Sequence, residues 1–283
     1  MPRQVNIPRL SSMHASLDPL GPSHRLPAFF LLVFALSTPF WLIGGATDLQ
    51  LMPGLSVSAL AGFAPMAAAL VLVHFDRKSA GKLALLKRSI DFKRINDKRW
   101  LVPVLLLMPT ISLVVYSLMR WMDMPLPAPE LHVGPAVLMF IAFFVGGLGE
   151  ELGWTGYATD PLQDRWSALR ASLLLGAVGV IWHLIPLLLS HRTWAWIAWW
   201  CLYALAARIL TVWLYNNTGK SVFAAALFHA TLNLSWMLFP VYGSHFDMRL
   251  ASLVMVGATL LVIVVWGPKT LSRYAAKGTE YPS

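Results

Sequence analysis

The sequence contains little charge and almost no cysteine. Of its 283 residues only 12% are Asp, Glu, Lys or Arg, whereas 57% are hydrophobic and the mean hydropathy is +0.63. Soluble domains carry roughly a quarter charged residues, so this composition excludes an ordinary soluble protein and indicates an integral membrane protein. The single cysteine, Cys201, excludes a disulfide framework within one chain and also a cysteine-ligated zinc site.

Most of the sequence consists of long apolar runs. A bilayer-spanning helix needs about 20 apolar residues, and the runs that meet this length predict an all-α, polytopic bundle with about eight transmembrane helices. They occupy residues 27–46, 53–75, 100–120, 133–158, 171–189, 194–215, 220–240 and 249–266. One transmembrane domain, residues 27–267, is therefore predicted. Residues 1–26 are predicted to form a disordered cytoplasmic tail, and residues 268–283 a second cytoplasmic tail.

Basic residues are concentrated on one face of the predicted bundle. An even number of spans puts both termini on the same side, where eighteen Lys and Arg residues fall, against three on the other side. The eighteen are Arg3, Arg9, Arg25, Arg77, Lys78, Lys82, Lys87, Arg88, Lys93, Arg94, Lys98, Arg99, Arg165, Arg170, Lys220, Lys269, Arg273 and Lys277, and the three are Arg120, Arg192 and Arg249. Because cytoplasmic connections carry the excess of Lys and Arg, both termini are predicted to be cytoplasmic. The net charge of +9 thus follows from membrane topology, and no nucleic-acid partner is predicted.

Residues 76–100 hold half of that basic charge. Leu83, Leu85, Leu86 and Ile90 form an apolar stripe at helical spacing within this segment. A basic amphipathic segment is typically attracted to anionic lipid, so we expect it to lie on the cytoplasmic leaflet with membrane lipids as partners. A substrate-docking role is the alternative.

Five polar residues in three of the spans form the candidate site. Glu150 and Glu151 lie in the fourth span, His183 in the fifth, and His229 and Asn233 one turn apart in the seventh. Ionisable groups inside hydrocarbon are rare and usually functional. At 1.5 Å per residue, these side chains lie on the order of 10–20 Å from the cytoplasmic helix ends, so we expect them to converge at one depth.

This set of side chains suits hydrolysis. A carboxylate in a low-dielectric pocket can take a proton from water, imidazoles can bind a metal or stabilise an oxyanion, and an asparagine can complete an oxyanion hole. No serine or cysteine pairs with the histidines, so water is the predicted nucleophile and peptide hydrolysis the simplest reaction. Two mechanisms remain open: a divalent metal, zinc, bound by His183 and His229 with Glu150, or metal-free catalysis.

The three motifs resemble those of the CPBP intramembrane protease family, also called the CAAX protease and bacteriocin-processing or Abi family. Its hallmarks are Glu-Glu-x-x-x-Arg, Phe-x-x-x-His and His-x-x-x-Asn on successive membrane helices. This chain has Glu150-Glu151, then His183, then His229 and Asn233 in the same order, within residues 133–240. The resemblance implies a CAAX-protease-like helical bundle in which Glu150 activates water, Glu151 assists, and His183, His229 and Asn233 bind a metal or the oxyanion.

The same resemblance implies a function and a location. It indicates an endopeptidase, either a metalloprotease or a glutamate protease, that hydrolyses a membrane-proximal peptide at the cytoplasmic membrane face. A CAAX-type prenylated tail or a leader peptide is the expected substrate. The family's abundance in bacteria favours the bacterial cytoplasmic membrane.

Two positions depart from the family pattern. Thr155 stands where the first motif has Arg, and Gly179 stands where the second has Phe. Glu151 therefore needs another cation, which Arg208 or Arg165 could supply, and we expect Arg208 to pair with it. The departures leave an alternative function open: a catalytically degenerate member acting as a membrane scaffold, an immunity factor or a proton-coupled carrier.

Overall fold

Long helices make up most of the structure, a computed structural model that describes residues 25–47, 49–52, 55–129 and 132–273. The α-helices are α1 (Leu26–Ala46), α2 (Ala64–Lys87), α3 (Leu101–Trp121), α4 (Val133–Gly153), α5 (Asp160–Arg165), α6 (Ala168–Leu189), α7 (Trp194–Asn217), α8 (Val222–Met237) and α9 (Met248–Trp266). A short antiparallel hairpin, β1 (Gln50–Met52) and β2 (Leu55–Ser56), and a 3-10 helix (Val57–Phe63) connect α1 to α2. A π-helix, Trp154–Thr159, continues α4 into α5.

The all-α, polytopic prediction is confirmed. Within the described ranges, 7 helical stretches are long and apolar enough to cross a membrane, and α8 is a shorter apolar helix of 16 residues. The predicted seventh span, residues 220–240, is longer than α8 because polar groups fix its start. The Ser221 hydroxyl accepts a hydrogen bond from the Ala224 N–H, and the Asp91 carboxylate accepts from the N–H groups of Val222 and Phe223.

The basic segment differs from a surface-lying amphipathic helix. α2 continues to Lys87, well beyond the predicted end at residue 75, and three 3-10 turns lead from there to α3. Of the predicted apolar stripe, Leu85 is fully buried, while Leu83, Leu86 and Ile90 are exposed. Arg88 is also buried, because its guanidinium bonds to groups inside the fold. The segment therefore packs partly into the bundle.

The structure describes only part of the two predicted tails. Apart from its last two residues, the N-terminal tail, residues 1–26, lies outside the described residues, as do residues 274–283. Residues 268–273, which belong to the predicted C-terminal tail, pack against the bundle. The carbonyl of Lys269 accepts from the Ala168 N–H, the carbonyl of Leu271 accepts from the Asn217 amide, and the Leu271 side chain is fully buried. These bonds satisfy the first N–H groups of α6 and an amide at the end of α7.

Close packing of α4 positions the candidate site. α4 packs against α2 on one side and α8 on the other, and α7 packs against α6 and α9. Two glycines allow this approach: a Cβ at Gly147 would lie 3.2 Å from the carbonyl oxygen of Ala226, and one at Gly149 would lie 2.7 Å from the Phe63 ring. Glu150 and Glu151, in the next turn, are thereby held between these helices.

Candidate active site

All five predicted site residues line one cavity of about 670 Å³ within the bundle. Glu150 and Glu151 reach it from α4, His183 from α6, and His229 and Asn233 from α8. The predicted convergence of three helices on one site is therefore seen in the structure.

The depth of His183 in its helix differs from the prediction, whereas that of His229 agrees with it. His229 lies seven residues after Val222, about 10 Å from the start of α8, within the predicted range. His183 lies 15 residues after Ala168 and six before Leu189, so it is about 22 Å from one end of α6 and about 9 Å from the other. α6 begins three residues earlier than predicted because the Ser167 hydroxyl caps it.

The Glu151 carboxylate is enclosed by hydrogen-bond donors. Arg208 donates through Nη1 to Oε2 at 2.9 Å and through Nη2 to Oε1 at 3.2 Å. The Nδ1 atom of His229 lies 2.9 Å from Oε1, and the Thr155 hydroxyl donates to Oε2. The side chain is 1% exposed. A carboxylate with this many donors is strongly stabilised as an anion, which makes it a poor acceptor for a proton from water.

Arg208 occupies the place of the missing motif arginine. Its Nη1 atom lies 3.4 Å from the hydroxyl of Thr155, the residue that stands at the motif position. The cation thus comes from α7 rather than from the π-helix that follows α4, and the expected pairing of Arg208 with Glu151 is present. Arg165, the other candidate, lies on α5 with its guanidinium 5.7 Å from the Trp166 ring centroid.

Glu150 has a different environment from its neighbour. Its side chain is 14% exposed and faces the cavity, with Oε1 3.8 Å from Nε2 of His229. Within the described part of the chain, no group donates a hydrogen bond to it. Since an ionised carboxylate has about four acceptor positions, Glu150 can hold a water molecule in the cavity.

The hydrogen bonds of the two histidines fix their tautomers. Nδ1 of His183 lies 2.8 Å from the carbonyl oxygen of Gly179, and Nδ1 of His229 faces the carboxylate of Glu151. Both partners only accept, so Nδ1 carries the proton in each ring. In both histidines Nε2 is left available to water or substrate.

Gly179 and Asn233 complete the cavity wall. Asn233 lines the cavity one helical turn after His229. A Cβ at Gly179 would meet no atom within 4 Å, so the position of the motif Phe is open space next to His183. The His183 ring is held instead by Trp182 and Trp200, whose ring centroids lie 4.5 and 5.0 Å away.

A second polar cluster, missed by the sequence analysis, lies on the other side of the π-helix. We call it the basic-side cluster: Arg88, Asp91, Asp160, Tyr215 and Lys220. Arg88 donates to the carbonyl of Gly156 at 2.7 Å, to the Tyr215 hydroxyl at 2.7 Å and to the Lys220 carbonyl at 2.9 Å. Burial alone lowers the pKa of Arg88, but Tyr215 and the carboxylates of Asp160 and Asp91 outweigh this effect and raise it above its usual value.

The predicted zinc site requires the side chains of His183, His229 and Glu150 to lie close enough together to bind one ion. Metal-ligating histidines usually donate their other N–H to a carboxylate or carbonyl, as both histidines do here. Among the residues that the structure describes, however, no three His, Cys, Asp or Glu side chains lie close enough together to hold a metal ion. As placed they do not form a metal site, so no catalytic step is assigned to a metal. Zinc at His183, His229 and Glu150 stays a prediction.

Comparison with known proteins points to the same family as the motifs. Residues 132–235 match the family model described as Type II CAAX prenyl endopeptidase Rce1-like, and this stretch contains all five site residues. The resemblance to the CAAX protease family is confirmed. The chain is also 26% identical to CAAX prenyl protease 2 of Methanococcus maripaludis over 259 residues, which cover 83% of this chain and 92% of the relative. At the level of the family, these matches support an intramembrane endopeptidase, a hydrolase.

Proposed function

We propose that this protein is an intramembrane endopeptidase in which Glu150 activates the attacking water. The observation that carries the proposal is the contrast between two adjacent carboxylates. Glu151 is bound by Arg208, Thr155 and His229, whereas Glu150 faces the cavity with no donor among the described residues. Glu150 is therefore the group able to take a proton from water and pass it to the leaving amine.

The remaining site residues have distinct roles in this proposal. Glu151 is a positioning residue, because it orients the His229 ring through Nδ1 and is itself held by Arg208. His229 in turn places Nε2 beside the water that Glu150 holds, 3.8 Å from Oε1 of Glu150. The Asn233 amide supplies an uncharged donor to the oxyanion that forms as water attacks, and His183 orients the bound water or peptide.

The proposed substrate is a membrane-proximal peptide. Aromatic side chains of Trp154, Trp196, Trp200 and Tyr203 line the cavity, so an apolar segment or a lipid chain fits beside the carboxylates. A CAAX-type prenylated tail corresponds to the name of the Methanococcus relative, and a leader peptide shares the same apolar character.

Arg208 also bears on the non-catalytic alternative. That alternative rests on the loss of the motif arginine at Thr155 and of the motif Phe at Gly179. Since Arg208 supplies the cation from α7, the first departure gives no reason to expect an inactive protein. Gly179 contributes its carbonyl to His183, which does not depend on the side chain.

The test compares Glu150→Gln with Glu151→Gln and the wild type on two membrane-anchored reporters, one farnesylated at a CAAX tail and one carrying an apolar leader. Loss of the base should lower the cleavage rate by about 10²–10⁴-fold in Glu150→Gln while leaving the melting temperature unchanged. Glu151→Gln should lose both activity and stability. Equal cleavage by wild type and Glu150→Gln would rule out the mechanism.

A parallel assay separates the two forms of catalysis. Wild-type protein is dialysed against a strong zinc chelator before cleavage is measured. Full activity after dialysis supports the metal-free form, and loss that is restored by added zinc supports a metal at the histidines.

A further inference from the structure

Apart from the two histidines, four ionisable side chains line the cavity, and one of them has no role in the proposed function. The four are Glu150, Glu151, Arg192 and Arg208. Arg208 and Glu151 compensate each other as an ion pair at 2.9 Å. Arg192 is exposed, and among the described residues no carboxylate forms an ion pair with it. The cavity therefore carries one guanidinium whose charge no described acidic residue compensates.

The backbone at Arg192 is held by the ends of two helices. Residues 190–193 connect α6 to α7. The Arg192 N–H donates to the carbonyl of Leu187 at 3.4 Å, and the hydroxyl of Thr193 accepts from the Trp196 N–H at the start of α7. Because both helix ends fix this short connection, Arg192 is presented to the cavity from a defined position.

The Arg192 side chain is also oriented. Its guanidinium lies over the ring of Trp196, 4.7 Å from the centroid, and Trp196 lines the cavity as well. The N–H groups of a guanidinium lie in its plane, so an arginine stacked on an aromatic face can still bind both oxygens of a carboxylate. Within the described part of the chain, no acceptor takes a hydrogen bond from these groups. They can therefore bind an anion that enters the cavity.

The spacing along α6 suits a single peptide that reaches both charged groups. His183, the proposed positioning group for the peptide, lies about 9 Å from the end of α6 at Leu189, and Arg192 follows in the connection. An extended peptide spans about 3.3–3.6 Å per residue. A peptide bond held near His183 and Glu150 and a carboxylate held at Arg192 can thus belong to the same substrate, a few residues apart.

We infer that Arg192 binds a carboxylate of the substrate peptide and thereby determines which peptides bind and in which direction they lie. The inference rests on the proposed peptidase function and adds a specificity-determining residue to it. An anionic group is attracted by Arg192 and repelled by Glu150, and both interactions are stronger in the cavity than in bulk water. The carboxylate is either the carboxyl terminus of the peptide or the side chain of an acidic residue near the scissile bond.

The test measures binding of a fluorescently labelled, farnesylated tail peptide to the full-length protein in detergent micelles by fluorescence anisotropy. Every protein carries Glu150→Gln, so that cleavage does not obscure binding. Three peptides are compared: one with a free carboxyl terminus, one with a terminal carboxamide, and one with a carboxamide and a glutamate as its last residue. None has another acidic group. Arg192→Gln removes the guanidinium, and Arg249→Gln is the matched control, because Arg249 is exposed beside the cavity-lining Met248 but does not itself line the cavity.

We expect Arg192→Gln to weaken binding of the free-acid peptide about tenfold and to leave that of the uncharged carboxamide within about twofold. Arg192→Lys should recover part of the loss, because it keeps the charge without the two-pronged geometry. Arg249→Gln should change neither value. A loss confined to the free-acid peptide assigns the site to a carboxyl terminus, and a loss that extends to the glutamate peptide, or is confined to it, assigns the site to an acidic side chain.

Three results would overturn the inference: an equal loss for charged and uncharged peptides, no loss for any of them, or no binding of any peptide before Arg192 is changed. Cleavage by proteins that retain Glu150 separates this inference from the proposed function. If the wild type cleaves neither reporter while Arg192→Gln selectively weakens binding of the charged peptides, the peptidase proposal alone fails. If free-acid and carboxamide tails are cleaved with the same kcat/KM, by wild type and by Arg192→Gln alike, the assignment of Arg192 alone fails.

Discussion

Two largely buried arginines, Arg88 and Arg208, lie on opposite sides of the π-helix, and their partners differ in kind. On the cavity side, Arg208 makes two hydrogen bonds to the Glu151 carboxylate. On the basic side, Arg88 bonds to two backbone carbonyls and the hydroxyl of Tyr215, while its nearest carboxylate, Asp91, lies 3.9 Å away. Both hold the segment that follows Glu150. The cavity-side cation compensates the charge of Glu151, next to Glu150, whereas the basic-side cation joins three other parts of the chain.

This difference has a consequence for mutations. Removing a buried cation from its carboxylate leaves an uncompensated charge at the site, so chemistry and stability should fail together. Removing a cation whose hydrogen bonds all go to neutral acceptors leaves carbonyls without that donor, which costs stability but leaves the charges that line the cavity as they were. The comparison would be wrong if the two arginines gave the same pattern of loss.

The largest effect is expected for Arg208→Ala. Breaking the buried pair with Glu151 should lower the free energy of unfolding by about 3–5 kcal/mol and abolish measurable cleavage. Thermal unfolding in detergent and reporter cleavage measure the two losses. Arg208→Lys keeps the charge without the two-pronged geometry and should retain partial activity.

A rescue variant sharpens this prediction. Because Thr155 and Arg208 both contact Glu151, an arginine introduced by Thr155→Arg should restore part of the activity in the Arg208→Ala chain. Restored activity would show that the site needs a cation beside Glu151, whichever helix supplies it. If the double variant regains stability but is no more active than Arg208→Ala, a cation at position 155 of the π-helix cannot replace the one from α7.

Arg88→Met should destabilise the protein without disabling the site. The change removes three donated hydrogen bonds and leaves the buried carbonyl of Gly156 and the partly buried carbonyl of Lys220 without that donor. We expect a loss of about 2–3 kcal/mol in unfolding free energy, with the cleavage rate per folded molecule within about twofold of wild type. Lys93→Met, at an exposed position of the same segment, is the control and should change neither quantity. A catalytic defect in correctly folded Arg88→Met would remove the distinction between the two clusters.

Thr155→Val is a smaller change on the cavity side. Valine keeps the shape of the buried side chain but cannot donate to Glu151, so we expect about 1.5 kcal/mol of destabilisation and a several-fold lower rate. Thr159→Val is matched to it, since the Thr159 hydroxyl donates to the Trp154 carbonyl in the same π-helix. That variant should lose a similar amount of stability and no activity. Equal rates for the two variants would mean that the hydroxyl at position 155 has no part in holding Glu151.

How far the sequence predicts these features depends on the cost of burying a charge. Glu150, Glu151 and Arg208 stand inside apolar runs, where an ionised group needs a partner, so their convergence and the Arg208 pairing could be expected. Arg88 stands in a run of basic residues, where nothing in the sequence separates it from exposed neighbours such as Lys93. Only the packing of α2 against the π-helix gives it partners. Likewise Leu271 follows the last predicted span, and only the packing of its buried side chain and the amide of Asn217, which donates to its carbonyl, show that it belongs to the bundle.

The shape of the cavity shows the same limit. It depends on how the helices pack and on the change from α-helix to π-helix after Gly153, which apolar periodicity does not reveal. Trp154, the first residue of that π-helix, lines the cavity. The charged residues in the apolar runs therefore predict which side chains reach the cavity but not its shape.

The smallest effect on stability is expected for Gly179→Phe, which restores the motif residue in the cavity wall. A Cβ at this position meets no atom within 4 Å, so the ring should extend into the cavity and change unfolding free energy by about 0.5 kcal/mol or less. It should compete with the substrate for space beside His183, raising KM by about tenfold with kcat little changed. Gly179→Ala adds a methyl group without filling the cavity, so its KM should match wild type. This pattern is the reverse of that expected for Arg88→Met, which lowers stability and leaves substrate binding alone. An unchanged KM in Gly179→Phe would mean that the peptide does not pass His183 on its way to Glu150.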